Sequence, residues 1–172
     1  IALGGSNSSN SINKKLAIFT ANKLSNTEVI ILDLNDYLLP IYGTDNERIS
    51  GIPKDAYSLL NEIKNCDGII LSLAEHNGTY TTAFKNAFDW MSRIDSKLWS
   101  QKPMLLMATS PGERGGVTAL EVAKVRFPLM GGNIVADLAF PSFFDNLKDG
   151  EIINTDLKNK LYLAIDKLQA VL

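Results

Sequence analysis

The chain of 172 residues is 45% hydrophobic and 21% charged, with a net charge of −2 from 17 basic and 19 acidic residues, a balance that suits a globular chain with one sizeable core. Such mixed charge leaves no electrostatic footprint for nucleic acid or an anionic membrane surface, and no run approaches the roughly 18 apolar residues of a membrane span. Cys66 is the single cysteine, which excludes an internal disulfide and a cysteine-built metal cluster and fits a reducing cytoplasm.

In chain order, Ile1 to Leu3 reads as a clipped strand that implies further residues upstream. Residues 27–34 (TEVIILDL), 68–74 (GIILSLA), 103–109 (PMLLMAT) and 133–136 (NIVA) read as four more. Their nearly unbroken apolar character is that of strands buried on both faces. Between them, residues 11–24, 54–65, 81–93 and 116–130 carry helical spacing, and residues 155–172 close the chain as a fifth helix. Strands alternating with helices, without a repeat or linker, predict one domain over residues 1–172 built on a doubly wound parallel sheet.

Ligands of such sheets bind outside the carboxyl ends of the strands, where the strand order reverses. Three loops fall at that edge, and all are rich in small residues: GGSNSSNSIN at 4–13, AEHNGTYTT at 74–82 and SPGERGG at 110–116. The first loop has neither the spacing of a P-loop nor Gly-x-Gly-x-x-Gly. It offers the hydroxyls of Ser6, Ser8, Ser9 and Ser11, the amide of Asn13 and a helix start near Ser11, which together suit an anion. A plain polar turn with Ser11 as helix cap accounts for the same residues.

In the second loop, Asn77-Gly78 has the chemistry of a hairpin turn. The helical spacing of Phe84, Phe88 and Met91 places it instead in a strand-to-helix connection. His76, the one histidine, reads equally as an exposed loop residue or as a contact to a flat ring, and without a second histidine it makes a poor metal ligand. Three glycines within residues 112–116 imply close backbone approach, to a planar ligand or within a tight turn. Arg114 is a solvated loop charge or a partner for an anionic group.

These loops together resemble those of the NADPH-dependent FMN reductases, flavodoxin-like proteins that include quinone, azo-dye and chromate reductases. The resemblance rests on Gly5-Ser6 with Ser11 and Asn13, on Glu75-His76-Asn77-Gly78 running into Lys85-Asn86-Ala87-Phe88-Asp89-Trp90, and on Ser110-Pro111-Gly112 with Gly115-Gly116. It implies an α/β flavodoxin-like fold with a five-stranded parallel sheet in the order 2-1-3-4-5 and helices on both faces. It also implies FMN as cofactor and NADPH or NADH as co-substrate. Ser6, Ser11, Ile12 and Asn13 would then hold the FMN phosphate. Ala74, Glu75, His76 and Asn77 would contact the isoalloxazine, mainly through backbone, and Ser110, Pro111, Gly112, Gly115 and Gly116 would line its other edge.

The chain departs from the family pattern at two places, with Ser8 where arginine is frequent and with Ala74-Glu75-His76-Asn77 in place of Pro-Glu-Tyr-Asn. Phosphate charge would thus be met by helix dipole and hydroxyls. The implied reaction is ping-pong transfer from NAD(P)H through flavin to a small acceptor such as a quinone or free flavin, with no catalytic triad. A flavodoxin-type electron carrier and a flavin-binding redox sensor are the competing readings. Helix 81–93 carries an apolar stripe of Phe84, Ala87, Phe88 and Met91, widened by Ala83 and Trp90; Trp90 either completes the core of one chain or extends a surface that packs on a second copy, and a homodimer or homotetramer is expected.

Overall fold

Alternate residues of the central strands face opposite sides, and both sides are apolar. Leu71 and Leu73 point to one core, and Ile70 points to the other; Met104, Leu106 and Ala108 likewise oppose Leu105 and Met107. A strand apolar on both faces must be covered on both, and here helices do so.

The computed structural model describes residues 1–172. The elements are β1 (Ala2–Gly5), α1 (Ile12–Ala21), β2 (Ile31–Leu32), α2 (Thr44–Ser50), α3 (Lys54–Asn65), β3 (Ile69–His76), β4 (Thr79–Tyr80), α4 (Thr82–Ile94), β5 (Pro103–Thr109), α5 (Val117–Leu129), β6 (Asn133–Phe140), α6 (Phe143–Asn146), β7 (Leu147–Lys148), β8 (Glu151–Ile152) and α7 (Thr155–Gln169). The main sheet runs β2-β1-β3-β5-β6, all neighbours parallel. Counted over its five parallel strands, this is the predicted order 2-1-3-4-5. Helices α3, α4 and α5 cover one face and α1 and α7 the other.

The fifth strand, expected over residues 133–136, runs on to Phe140, and three further differences from the expected elements follow. The second strand shrinks from residues 27–34 to Ile31–Leu32. It lies at the sheet edge with one neighbour, its Ile30 and Ile31 stay about half exposed, and the Asp33 carboxylate accepts from the Asn35 amide and turns the chain into a 3-10 turn at Leu34–Asp36. Asn77-Gly78 is a hairpin turn after all: Glu75 faces Tyr80 and His76 faces Thr79 in an antiparallel pair, with φ of 52° at Asn77 and 80° at Gly78. Positive φ at both central residues is what this dipeptide accommodates. Hairpin and helix coexist because the hairpin ends at Tyr80, and Thr81 then caps α4 by accepting from the Phe84 amide. The third difference is a set of short elements, α2, α6 and the β7-β8 hairpin, that the apolar periodicity did not mark.

Trp90 also departs from its expected place. It is buried at 1% exposure and donates its indole N–H to the Pro40 carbonyl at 2.7 Å. The Tyr42 ring stands edge-on to it at 5.0 Å. It therefore completes the core of the chain and adds nothing to an outer apolar surface.

Candidate functional site

The carboxyl ends of β1, β3 and β5 bring the three small-residue loops to one edge of the sheet. Three helices, α1, α4 and α5, begin there, and each exposes amides that lack an intrahelical acceptor. What fills those helix starts decides where an anion can bind.

At α5 the start is occupied. Its cap residue Gly116 has no side chain, and the Glu75 carboxylate reaches over from β3 to accept from the amides of Thr118 and Ala119 at 3.0 and 3.1 Å. A carboxylate at the positive helix end is favourable there. At α4, Thr81 Oγ accepts from Phe84 N and donates to the Gly5 carbonyl at 2.9 Å. At α1, Ser11 caps only the Lys14 amide. The amides of Ile12 and Asn13 precede any acceptor of their own helix and stand at the end of the hydroxyl-rich loop. This start suits a phosphate group.

Within that loop, Ser6 and Ser11 are buried, whereas residues 7–10 are exposed. Ser6 Oγ accepts from the Ser8 amide at 3.1 Å, which curls the loop back on itself. Gly4 is required by the closeness of α1, since a Cβ there would stand 2.6 Å from Lys14 N. Lys14, the cation nearest in sequence, turns away to pair with Asp33. Partial desolvation pushes the Asp33 carboxyl up, but the Lys14 ammonium and the Asn35 amide together hold it below the ordinary carboxylate range. Charge for a bound phosphate would therefore come from the helix start and hydroxyls.

The Asn13 side chain, expected to offer its amide to the phosphate, is turned into the sheet at 2% exposure. Its Nδ2 donates to the Thr109 carbonyl at 3.1 Å, and its Oδ1 accepts from Thr109 N at 3.0 Å and from Ser72 Oγ at 2.7 Å. Only its backbone N–H remains at the loop. Ser72, which carried no signal in an apolar strand, is part of this arrangement.

A cleft of about 450 Å³ opens between the first two loops. Asn7 contributes from the first, His76 and Thr81 from the second, and Leu34, Tyr37, Leu39 and Ile41 form an apolar wall opposite Ala83 and Ala87. Apart from Leu34, that wall belongs to a strap, residues 37–43, fastened to α4. Asn86 accepts from the Tyr42 amide at 2.8 Å and donates to the carbonyls of Leu39 and Pro40 at 3.1 Å, beside the Trp90 bond. Thus Asn86 and Trp90 shape the cleft from beneath. His76 is exposed at its rim, while Tyr80 is buried against Phe84 and burial pushes its phenol up. A larger cleft of about 620 Å³ lies at the opposite edge, around Ile1, Gly68 and Leu172, away from all three loops.

The third loop contributes none of the cleft lining. Ser110 and Gly112 accept, through their carbonyls, from the amides of Phe143 and Ser142 at the start of α6. Gly115 and Gly116 have φ of 59° and 74°. The Cβ that each lacks would meet protein: the Phe140 and Pro141 backbone at 2.8 Å for Gly115, and the Ala108 Cβ at 3.0 Å for Gly116. The freedom expected for a ligand is thus required by the chain itself. Pro111, Gly112 and Arg114 are exposed, and the Arg114 guanidinium donates to Thr118 Oγ1 at 2.9 Å.

The fold has counterparts of known structure, and the chain has relatives of known sequence. The flavoenzyme NAD(P)H:(acceptor) oxidoreductase FerB from Paracoccus denitrificans superposes with a TM-score of 0.71 at 24% identity, over 98% of this chain and 96% of that one. A 2-hydroxy-1,4-benzoquinone reductase from Burkholderia sp. is 32% identical over 139 residues, 77% of this chain and 73% of the relative. A quinone reductase of Escherichia coli (strain K12) is 32% identical over 78 residues, 45% of this chain, and the chain spans 42% of that relative's length. The profile of one family matches residues 1–145, and the chain belongs to that family, the NADPH-dependent FMN reductases.

Proposed function

We propose that this protein is an NAD(P)H-dependent, FMN-containing oxidoreductase that reduces a small acceptor such as a quinone or free flavin. The observation that carries the reading is the state of the three helix starts. Glu75 fills that of α5; α1 and α4 are capped alike, by Ser11 on the Lys14 amide and by Thr81 on the Phe84 amide, and of these two only α1 has its open first-turn amides, those of Ile12 and Asn13, next to the serine-rich loop with Ser6 and Ser11. The cleft next to it is apolar on two sides, as a planar ring system requires.

Ser6, Ser11, Ile12 and Asn13 would hold the FMN phosphate, the last two through backbone N–H groups. Residues 74–77 would meet the ring, and residues 110–112, which stand outside the cleft, would bound its other edge where the ring reaches past the cleft toward the third loop. FMN bound there supplies the hydride-accepting chemistry, and the protein supplies orientation and access. The strap keeps the apolar wall in place, and the exposed rim at His76 leaves room for donor and acceptor in turn. No side chain at the cleft is required to transfer a proton.

A homodimer or homotetramer belongs to the same proposal, on a different face from the one Trp90 suggested. Val122, Val125 and Leu129 of α5 are exposed at 38%, 73% and 62%, beside a groove of about 610 Å³ shared with α4. Light scattering that gives the mass of one chain at micromolar concentration removes that part.

The test of the main reading is spectroscopic. Purified protein incubated with FMN and freed of excess is expected to show flavin absorbance, which bleaches within turnover time on anaerobic mixing with NADPH or NADH. Failure to retain FMN overturns the proposal. Retention without bleaching by either nucleotide leaves a carrier or sensor in its place.

A further inference from the structure

Each pair of the three loops is joined by one side chain that bonds to backbone. Thr81, near the end of the second loop, donates to the Gly5 carbonyl at the head of the first. Asn13, at the end of the first, exchanges two hydrogen bonds with Thr109, the residue before the third. Glu75, from the second, accepts from two amides of the helix that follows the third. The three bridges close a triangle around the edge. The bridging atoms are engaged within the chain: Thr81 Oγ both donates and accepts, Asn13 Oδ1 accepts twice, and one Glu75 oxygen accepts twice.

The bridges have firm and less firm ends. Thr109 is buried, paired with Ala74 and Phe140 on either side, and its Oγ1 donates to the Phe140 carbonyl at 2.6 Å. Asn13 therefore hangs the first turn of α1 on a fixed point and orients the free amides of Ile12 and Asn13. Glu75 stands at the base of the short β3-β4 hairpin, whose turn residues protrude. It ties that hairpin to α5, which is packed into the core through Leu120, Ala123 and Phe127.

We propose that Asn13 and Glu75 are positioning residues with divided roles, Asn13 serving the phosphate end of the bound flavin and Glu75 the ring end. The proposal rests on the reading that FMN binds at this edge. A side chain that only stabilises the fold lowers the affinity of every ligand in step with the unfolding temperature. A strut at the phosphate end discriminates between FMN and riboflavin, which share the ring and differ in the phosphate, and a strut at the ring end weakens both by more than the change in unfolding temperature accounts for.

The experiment measures dissociation constants of FMN and riboflavin by flavin fluorescence, with thermal unfolding of the same samples, for wild type, Asn13→Ala, Ser72→Ala, Glu75→Ala and Glu75→Gln. Asn13→Ala is expected to weaken FMN by about tenfold or more and riboflavin by less than about twofold, because amides that meet a charged phosphate lose their aim. Ser72→Ala deletes one of the two donors to Asn13 Oδ1 and keeps the rest of the bridge, so it tests the same strut if Asn13→Ala does not fold; a smaller loss, again confined to FMN, is expected. Glu75→Ala is expected to weaken both flavins by the same factor, and Glu75→Gln, whose amide oxygen still accepts, to restore part of that loss. Parallel losses of both flavins in the Asn13 and Ser72 variants, in step with unfolding temperature, overturn the proposal, as do unchanged affinities. Wild-type protein that binds neither flavin overturns the reading beneath it instead.

Discussion

The Trp90 indole N–H points at the Pro40 carbonyl, 2.7 Å away and 50 residues back in the chain. This bond, with the two that Asn86 sends to Leu39 and Pro40, holds the strap that walls the cleft. Trp90→Phe keeps an aromatic ring and removes the donor, at an expected cost of about 1–3 kcal/mol from the lost bond and lost volume. Limited proteolysis is expected to cut first within residues 37–51 in this variant. Cleavage at the wild-type rate would show that the strap is held without Trp90.

Glycines in the third loop divide by what their missing Cβ would meet. Gly115→Ala combines φ of 59° with backbone atoms at 2.8 Å, and a loss above about 2 kcal/mol is expected. Gly112→Ala faces no atom closer than 3.9 Å and has no positive φ, so its stability is expected within about 0.5 kcal/mol of wild type. Chemical denaturation distinguishes them, and equal costs would contradict the geometry.

Lys14 and Asp33 set a pH dependence. The Asp33 carboxyl titrates below its ordinary value in the folded chain, so the charged form favours folding. That contribution is complete above the unfolded carboxylate range near ~4 and is lost as pH falls through the lower folded value. The pair remains open to water, which keeps the effect below about 1 kcal/mol. Asp33→Asn is expected to lower the midpoint of urea unfolding at pH 7 and to match wild type once Asp33 is protonated. A difference that grows on acidification would reverse the assignment.

Ile12 occupies the first position of α1, after Ser11 with ψ of 117°. Proline is well accommodated at such a position, because its fixed φ suits the helix and its absent N–H had no intrahelical partner. Ile12→Pro thus deletes one proposed phosphate donor while the helix persists. FMN affinity is expected to fall by about tenfold or more, as for a hydrogen bond to a charged group, and riboflavin affinity to hold within about twofold. Titration calorimetry with both flavins measures the split. An unchanged FMN affinity would remove the Ile12 amide from the site.

Much of this fold was legible because its signals are local. Apolar strands flanked by helical spacing specify a doubly wound sheet, and α3 begins and ends at the expected Lys54 and Asn65. Ser11 and Thr81 cap helices through bonds three residues along, a range over which sequence neighbours are also neighbours in space. Asn77-Gly78 carried its hairpin signal openly; the helical spacing beyond it masked a hairpin only two residues deep on each side. The three loops could likewise be placed on one edge, since strand polarity in a parallel sheet follows from alternation.

The tertiary structure decided what the side chains at that edge do. Asn13 meets Thr109 across 96 positions, Glu75 meets Thr118 across 43, and Trp90 meets Pro40 across 50. An amide or a carboxylate in a loop looks the same in sequence whether it faces a ligand or a neighbouring strand. Which it faces depends on strand order and on the packing of helices against the sheet, and burial then obliges each polar group to find a partner within the chain. Sequence alone marked the edge and the residue types for an anion and a flat ring; packing turned Asn13, Glu75, Asn86 and Trp90 inward as supports and left the α1 amides free.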